Sequence, residues 1–239
     1  IDLSAALKAH EKKDADLTVI FHNGELPVKS EEKMLLGFND DGRVNSITFG
    51  EAEHKASFGI GISIINKDLL LKLISDAEDD GLSSFAREVI AQKINELKIY
   101  GFEHSGYNAI MDNADTYYEA SMDLLCKDIR SQLFDKTRPI FTKVRDGMPT
   151  RYGIEACVSN CIIGDDCVIE GTVKNSILFR GVKIGKGAVV ENCILMQETK
   201  IGNEAQVSNV IADKNVVIAG GVIFKGTKEK LCFIDKKRI

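Results

Sequence analysis

Isoleucines 184, 201 and 218 recur at a spacing of 17 residues and open three similar hexads: Ile184-Gly185-Lys186-Gly187-Ala188-Val189, Ile201-Gly202-Asn203-Glu204-Ala205-Gln206 and Ile218-Ala219-Gly220-Gly221-Val222-Ile223. Second hexads open at Val190 and Val207, and an earlier pair at Ile163 and Ile169. The repeat places a branched aliphatic first, usually a Gly or another small or acidic residue next, and a small or apolar residue fifth, as at Cys167, Ala188 and Ala205. Three such hexads make one triangular coil of ~18 residues with a short strand on each side, so the aliphatics stack into a continuous core and the chain forms a parallel β-helix. The shortfall from that period implies irregular corners, which we expect around Leu178 to Gly181 and Met196 to Thr199. No proline follows Pro149, in keeping with uninterrupted strand pairing.

The first part of the chain, to about residue 137, carries a different pattern. Apolar runs at Leu17–Phe21, Met34–Phe38, Val44–Phe49 and Phe58–Ile65 predict strands, with Asn39-Asp40-Asp41-Gly42 as a hairpin turn between the second and third. Helical periodicity covers Lys67–Ile74, Phe85–Leu97 and Thr116–Phe134, the second behind a Ser83/Ser84 cap. A further helix-like stretch runs from Asp2 to His10, and the chain begins at Ile1, so the start of a longer protein is expected to be missing. Mixed strands and helices indicate α/β architecture. Arg138 to Gly153 holds two of the three prolines and three arginines without periodicity. The expected division is therefore residues 1–137 as an α/β domain, 138–155 as the interdomain connection and 156–239 as the β-helix.

Charge and composition narrow the function. With 31 Lys and Arg against 36 Asp and Glu, the net charge of −5 argues against a nucleic-acid partner, which would need a basic stripe; the one basic cluster, Lys236, Lys237 and Arg238, reads as a solvated tail. No apolar run is long enough to span a membrane and no signal peptide opens the chain, so a cytoplasmic location is expected. The six cysteines form no C-x-x-C pair and are expected to be small buried hydrophobes. Acyl transfer, a common use of hexapeptide scaffolds, needs a His base between coils. All four histidines (10, 22, 54 and 104) lie outside the repeat, which favours a structural or assembly role for it. No Gly-rich phosphate loop is visible, and Gly59-Ile60-Gly61 reads as part of a strand that allows close backbone approach. The acidic clusters at Asp76–Asp80 and Asp165/Asp166 suit solvated turns; Asp112/Asp115 are the acids to consider for a metal.

Several segments together carry a family resemblance: Ala15-Asp16-Leu17-Thr18-Val19, Asp41-Gly42-Arg43, Ser57-Phe58-Gly59-Ile60, Gly106-Tyr107 leading to Tyr117 through Leu125, Arg138-Pro139-Ile140-Phe141-Thr142, Asn175 through Val182 and Asp213-Lys214-Asn215-Val216. In order along nearly the whole chain, these resemble the glucose-1-phosphate adenylyltransferase (ADP-glucose pyrophosphorylase) family. The resemblance implies the C-terminal part of a Rossmann-like nucleotidyltransferase domain followed by a left-handed β-helix. It implies a role in glycogen biosynthesis, where ATP and glucose 1-phosphate give ADP-glucose and pyrophosphate with Mg²⁺.

The departures from that pattern are at its chemistry. Catalytic members carry a Glu-Lys-Pro whose Lys binds the sugar phosphate; here Glu51 is followed by Ala52. They also carry a Trp-Lys/Arg-Asp loop whose Asp belongs to the metal-binding pair; here Asn108-Ala109-Ile110 puts Ile110 in its place. An apolar side chain can neither hold Mg²⁺ nor offset phosphoryl charge. No Mg²⁺ is therefore expected on this chain, and no catalytic residue is assigned. Glu51 and Ser57 match positions that contact the sugar in the family, the alternative being that they pack the strand. Lys143, Arg145 and Arg151 lie near where related enzymes take anionic effectors, and guanidinium groups suit phosphate oxygens; the alternative is a solvated linker.

Within the family, the pattern is most similar to the non-catalytic regulatory (D-type) bacterial subunit. The implied partners are a catalytic glucose-1-phosphate adenylyltransferase subunit, further copies of this chain, or both. Two alternatives stay open: a nucleotidyltransferase active at full length, with Asp112 or Asp115 replacing the lost acid, and a pure β-helix assembly module.

Overall fold

The computed structural model describes residues 1–25, 33–50, 55–143, 145–227 and 230–235. The tail cluster Lys236, Lys237 and Arg238 lies outside them. The chain divides into two compact units, Ile1–Asp112 and Asn113–Ile239.

The first unit is α/β. Helix α1 (Leu3–Lys12) starts where the Asp2 carboxylate accepts from the Ser4 and Ala5 amides, satisfying donors that the first turn leaves without partners. Strands β1 (Leu17–Gly24), β2 (Lys33–Phe38), β3 (Val44–Gly50) and β4 (Ala56–Ile65) follow, then α2 (Lys67–Asp79) and β5 (Ile99–Glu103). They form a sheet in the order β3-β2-β4-β1-β5, in which only β1 and β5 run parallel. The expected hairpin is present: Asn39 and Gly42 close the turn between β2 and β3, with Gly42 N–H donating to Asn39 O at 3.0 Å. Leu17, Val19, Phe21, Leu36 and Ile99 form the core on which Leu73 of α2 packs.

Two helical expectations are modified. Over 85–97 the chain makes a π-helical turn, Phe85–Ile90, and then looser turns. Ser84 gives no side-chain cap; instead Glu88 reaches back and accepts from the Ser84 and Ser83 amides at 2.6 and 2.7 Å, which holds its carboxyl below the usual range. The single helix expected over 116–134 is two, α3 (Ala114–Asp123) and α4 (Lys127–Leu133). Arg130 ends the first by donating to the carbonyls of Leu124 and Leu125 at 2.6 and 2.8 Å.

The second unit contains a parallel β-solenoid of about four turns. One sheet stacks β6 (Arg151–Tyr152), β8 (Val168–Ile169), β10 (Lys183–Ile184), β12 (Lys200–Ile201) and β14 (Val217–Ile218). The other stacks β7 (Cys157–Ile163), β9 (Thr172–Leu178), β11 (Val189–Leu195), β13 (Gln206–Ala212) and β15 (Ile223–Lys225), with β16 (Cys232–Ile234) also on β13. Ile169, Ile184, Ile201 and Ile218 pair coil to coil, as the repeat requires, and all are buried.

Corners are made by residues in the left-handed region. Gly181, Gly187, Asn192 and Glu198 are such residues in one coil, and Glu198, Glu204, Asn209 and Asn215 in the next. Successive corners therefore lie six, five and six positions apart, so the coil is short on its Gly187–Asn192 side and not at 178–181 or 196–199, as expected from sequence. A second shortening occurs between Ile169 and Thr172, which pair with Ile184 and Val189 although two residues separate the first pair and four the second. Gly171 makes this possible: a Cβ there would meet the carbonyl oxygens of Ala188 and Gly185 in the next coil.

The long strands bend at the asparagine corner, so Ile177, Ile194 and Ile211 point outward in a second apolar column. Tyr117, Tyr118, Met122 and Leu125 pack on that column. This is why the compact units divide at Asp112/Asn113, earlier than the compositional break at 137/138. Of the cysteines, Cys167 and Cys193 are buried, but Cys126 and Cys157 are exposed, contrary to the sequence expectation. Cys157 pairs in an outward row with Thr172, Val189, Gln206 and Ile223, and Cys126 sits at the joint between α3 and α4. Among the described residues no helix is long and apolar enough to cross a membrane.

Candidate functional site

Strand β4 crosses the sheet between β2 and β1, and its pairing with β1 slips at Ile20/Phe21: Ile20 opposes Ile62 while Phe21 opposes Gly59. The two extra residues, Ile60 and Gly61, form a bulge, and Gly61 takes φ +78°, a conformation that glycine adopts without strain. The close backbone approach expected of this Gly-Ile-Gly is not found: a Cβ on Gly59 would meet side chains, Met34 Sδ at 3.3 Å and Val19 Cγ1 at 3.5 Å, and one on Gly61 would meet nothing within 4 Å. The bulge opens a cavity of about 370 Å³ in the first unit. Lys33, Phe49, Ser63 and Asn108 to Ile110 are among its lining residues.

Among the described lining residues the one charged side chain, Lys33, is paired. Lys33 Nζ lies 3.1 Å from Asp112 Oδ2, with side chains 20% and 12% exposed. Arg87 stacks on the Phe49 ring at 4.6 Å. Ile110 brings a branched alkyl group to the wall, at the position where the resemblance calls for an acid. These residues do not fit Mg²⁺: Ile110 offers no ligand atom, Asp112 is engaged by an ammonium, and among the described residues no group of three His, Cys, Asp or Glu could hold a metal. Asp115 stands in the first turn of α3, in the other unit.

Ser57, at the start of β4, donates to Asn23 Oδ1 at 2.6 Å, from the strand position directly opposite. Glu51 and Ala52 lie outside the described residues. Lys143, Arg145 and Arg151 are all exposed, and Arg151 opens β6 opposite Val168. Sequence reasoning had not singled out Lys33, Met34 or Phe49, which reach the cavity through the β2–β3 hairpin; no motif marks them.

Residues 148–229 match a family model described as GlmU-like, C-terminal hexapeptide. Such a segment fits a left-handed β-helix. The chain is 35% identical to the glycogen biosynthesis protein GlgD of Bacillus subtilis (strain 168) over 236 residues, covering 99% of this chain and 59% of that protein. It is 39% identical to GlgD of Geobacillus stearothermophilus over 190 residues, 80% of this chain and 46% of that protein. By sequence, this chain is a relative of the glucose-1-phosphate adenylyltransferases. The protein so named from Geobacillus stearothermophilus is 34% identical over 198 residues, 80% of this chain and 50% of its own length. The chain thus spans about half the length of the adenylyltransferase and GlgD relatives it matches.

Proposed function

We propose that this chain belongs to a non-catalytic, regulatory or assembly subunit of a glucose-1-phosphate adenylyltransferase, acting in glycogen biosynthesis in the cytoplasm. The observation that carries the reading is Ile110 in the cavity wall together with the Lys33–Asp112 pair beside it. Phosphoryl transfer depends on positioned charge, and here an alkyl group and an internally neutralised ion pair replace it. The likeness to two glycogen biosynthesis proteins, the GlgD proteins above, supports the pathway.

Lost chemistry leaves association as the means of action. The partner is a catalytic adenylyltransferase subunit, further copies of this chain, or both, with the solenoid as the holding surface. In that assembly Lys143, Arg145 and Arg151 offer exposed cationic groups to an anionic effector, and Glu51 and Ser57 are the positions that retain contact with a sugar. Mg²⁺ serves the catalytic partner.

The test is pyrophosphate release from ATP and glucose 1-phosphate by the purified full-length protein with Mg²⁺. No turnover above buffer is expected, and turnover by the wild-type protein would overturn the reading in favour of an active enzyme using Asp112. Ile110→Asp with Ala52→Lys is expected to be required for any activity to appear.

A further inference from the structure

A second cavity, of about 610 Å³, lies in the solenoid unit between α3 and the asparagine corner. Its floor is Asn160, Asn175 and Asn192, one from each of three successive coils, and its opposite wall includes Glu119, Met122 and Asp123. The volume is within the usual range for small-ligand sites. Nothing in the adenylyltransferase reading uses it.

The asparagines form a broken ladder, and in its upper half the hydrogen-bond direction is fixed from one end. The Gly226 carbonyl can only accept, so Asn209 presents its Nδ2 there at 3.0 Å. Its Oδ1 then accepts from Asn192 Nδ2 at 3.4 Å, which leaves Asn192 Oδ1 for the cavity side. In the coils below, Asn160 Nδ2 donates to Asn175 Oδ1 at 2.9 Å, leaving Asn175 Nδ2. Among the described residues the ladder has no bond between Asn175 and Asn192. An amide donor and an amide acceptor therefore sit on adjacent coils at the cavity floor, next to the place where Tyr118 O–H donates to Asn192 O at 2.9 Å.

We propose that this cavity binds a neutral, hydroxyl-rich ligand, namely a short oligosaccharide. A hydroxyl both donates and accepts, which matches the split ladder, and the carboxylate of Glu119 accepts from a further hydroxyl. Met122, Leu125 and Leu231 supply apolar surface for the C–H face of a sugar ring. Among the described lining residues there is no Lys, Arg or His, so a phosphate finds no counter-charge. An ammonium ligand could not use the Asn175 donor. A peptide strand offers a single N–H per residue to a wall rich in acceptors. The proposal uses the solenoid unit alone and stands apart from the adenylyltransferase reading.

Cys126 lines the cavity and is exposed, whereas Cys157 is exposed outside it, so the pair provides a reporter and a control. The rate of N-ethylmaleimide addition at each, followed by peptide mass spectrometry on the full-length protein, is measured with maltotriose, spermidine or glucose 1-phosphate. Maltotriose is expected to slow Cys126 about tenfold at ten times its dissociation constant and to leave Cys157 unchanged. Asn175→Gly, which keeps the left-handed backbone comfortable, and Glu119→Ala, on the exposed helix face, should each weaken protection. The proposal is overturned if maltotriose leaves Cys126 unprotected, if both cysteines are protected alike, or if spermidine or glucose 1-phosphate protects better than maltotriose.

Discussion

Lys33 and Asp112 meet across 79 positions of sequence, and neither carries a local signal that it will. Ile110 differs: comparison with a motif exposes it, because one apolar letter stands where an acid belongs. Reading a sequence finds a lost group more easily than the group that has taken over its space. The pair is sheltered but not fully buried, so Lys33→Ala should cost about 1–2 kcal/mol, between surface and buried ion pairs, read from urea unfolding. No loss would mean that the pair does not hold Asp112 in place. Burial also acts on Cys193, pushing its thiol up to about 12 from 9.0, and on the Tyr118 phenol, pushed up to about 12 from 10.0. The unfolded chain loses these protons first, so their contribution is intact below the unfolded values and declines as pH rises from about 9 towards 12. Unfolding midpoints measured from about pH 8 to about pH 10.5 should fall, and Cys193→Val should flatten that fall. An unchanged slope in the variant would rule out Cys193 as the cause.

The strands and the solenoid were legible because their signals are local and repeated. Strands β1 to β4 of the first unit show their apolar runs and the aliphatic columns repeat in register, whereas β5, five residues long and interrupted by Gly101, carries no such run and is not among the expected strands. The corners also carry a repeated signal: Asn160-Cys161-Ile162, Asn175-Ser176-Ile177, Asn192-Cys193-Ile194 and Asn209-Val210-Ile211 repeat a left-handed Asn, a small inward residue and an outward Ile. The hexad reading passes over this repeat, and with it the fact that its last Ile faces a helix. Helix bounds were less legible because side-chain contacts decide them, Glu88 at one end of a segment and Arg130 at the end of another. The corner account makes a paired prediction. Gly171→Ala drives a Cβ into backbone carbonyls and should cost more than about 2 kcal/mol, whereas Gly221→Ala, at φ +73° with nothing nearby, should cost about 1–2 kcal/mol from backbone strain alone. Equal losses in thermal unfolding would contradict the close approach. Likewise Ile194→Ala should lower stability by about 2–5 kcal/mol, since the column under α3 is fully buried.

At the scale of the whole molecule, the solenoid ends present large apolar side chains to solvent: Met148, Tyr152 and Ile154 near the first coil, Ile223 and Phe233 near the last. Patches of this kind mark association surfaces. Phe224, by contrast, pairs with Val207 and packs on the core, so charging it would test folding and not association. Light scattering of the full-length protein with a catalytic adenylyltransferase subunit should show a hetero-oligomer that a variant lacking residues 156–239 fails to form. Unchanged assembly without the solenoid would move the contact elsewhere. The central claim is that a protein without its own chemistry works through a partner. Its most direct measurement is pyrophosphate release by a fixed amount of catalytic subunit as this protein is added. This protein alone should give no rate, and the rate of the fixed catalytic subunit should move from its own value to a plateau as the subunit becomes saturated. A rate that never responds, or that grows in proportion to this protein without limit, would contradict the claim.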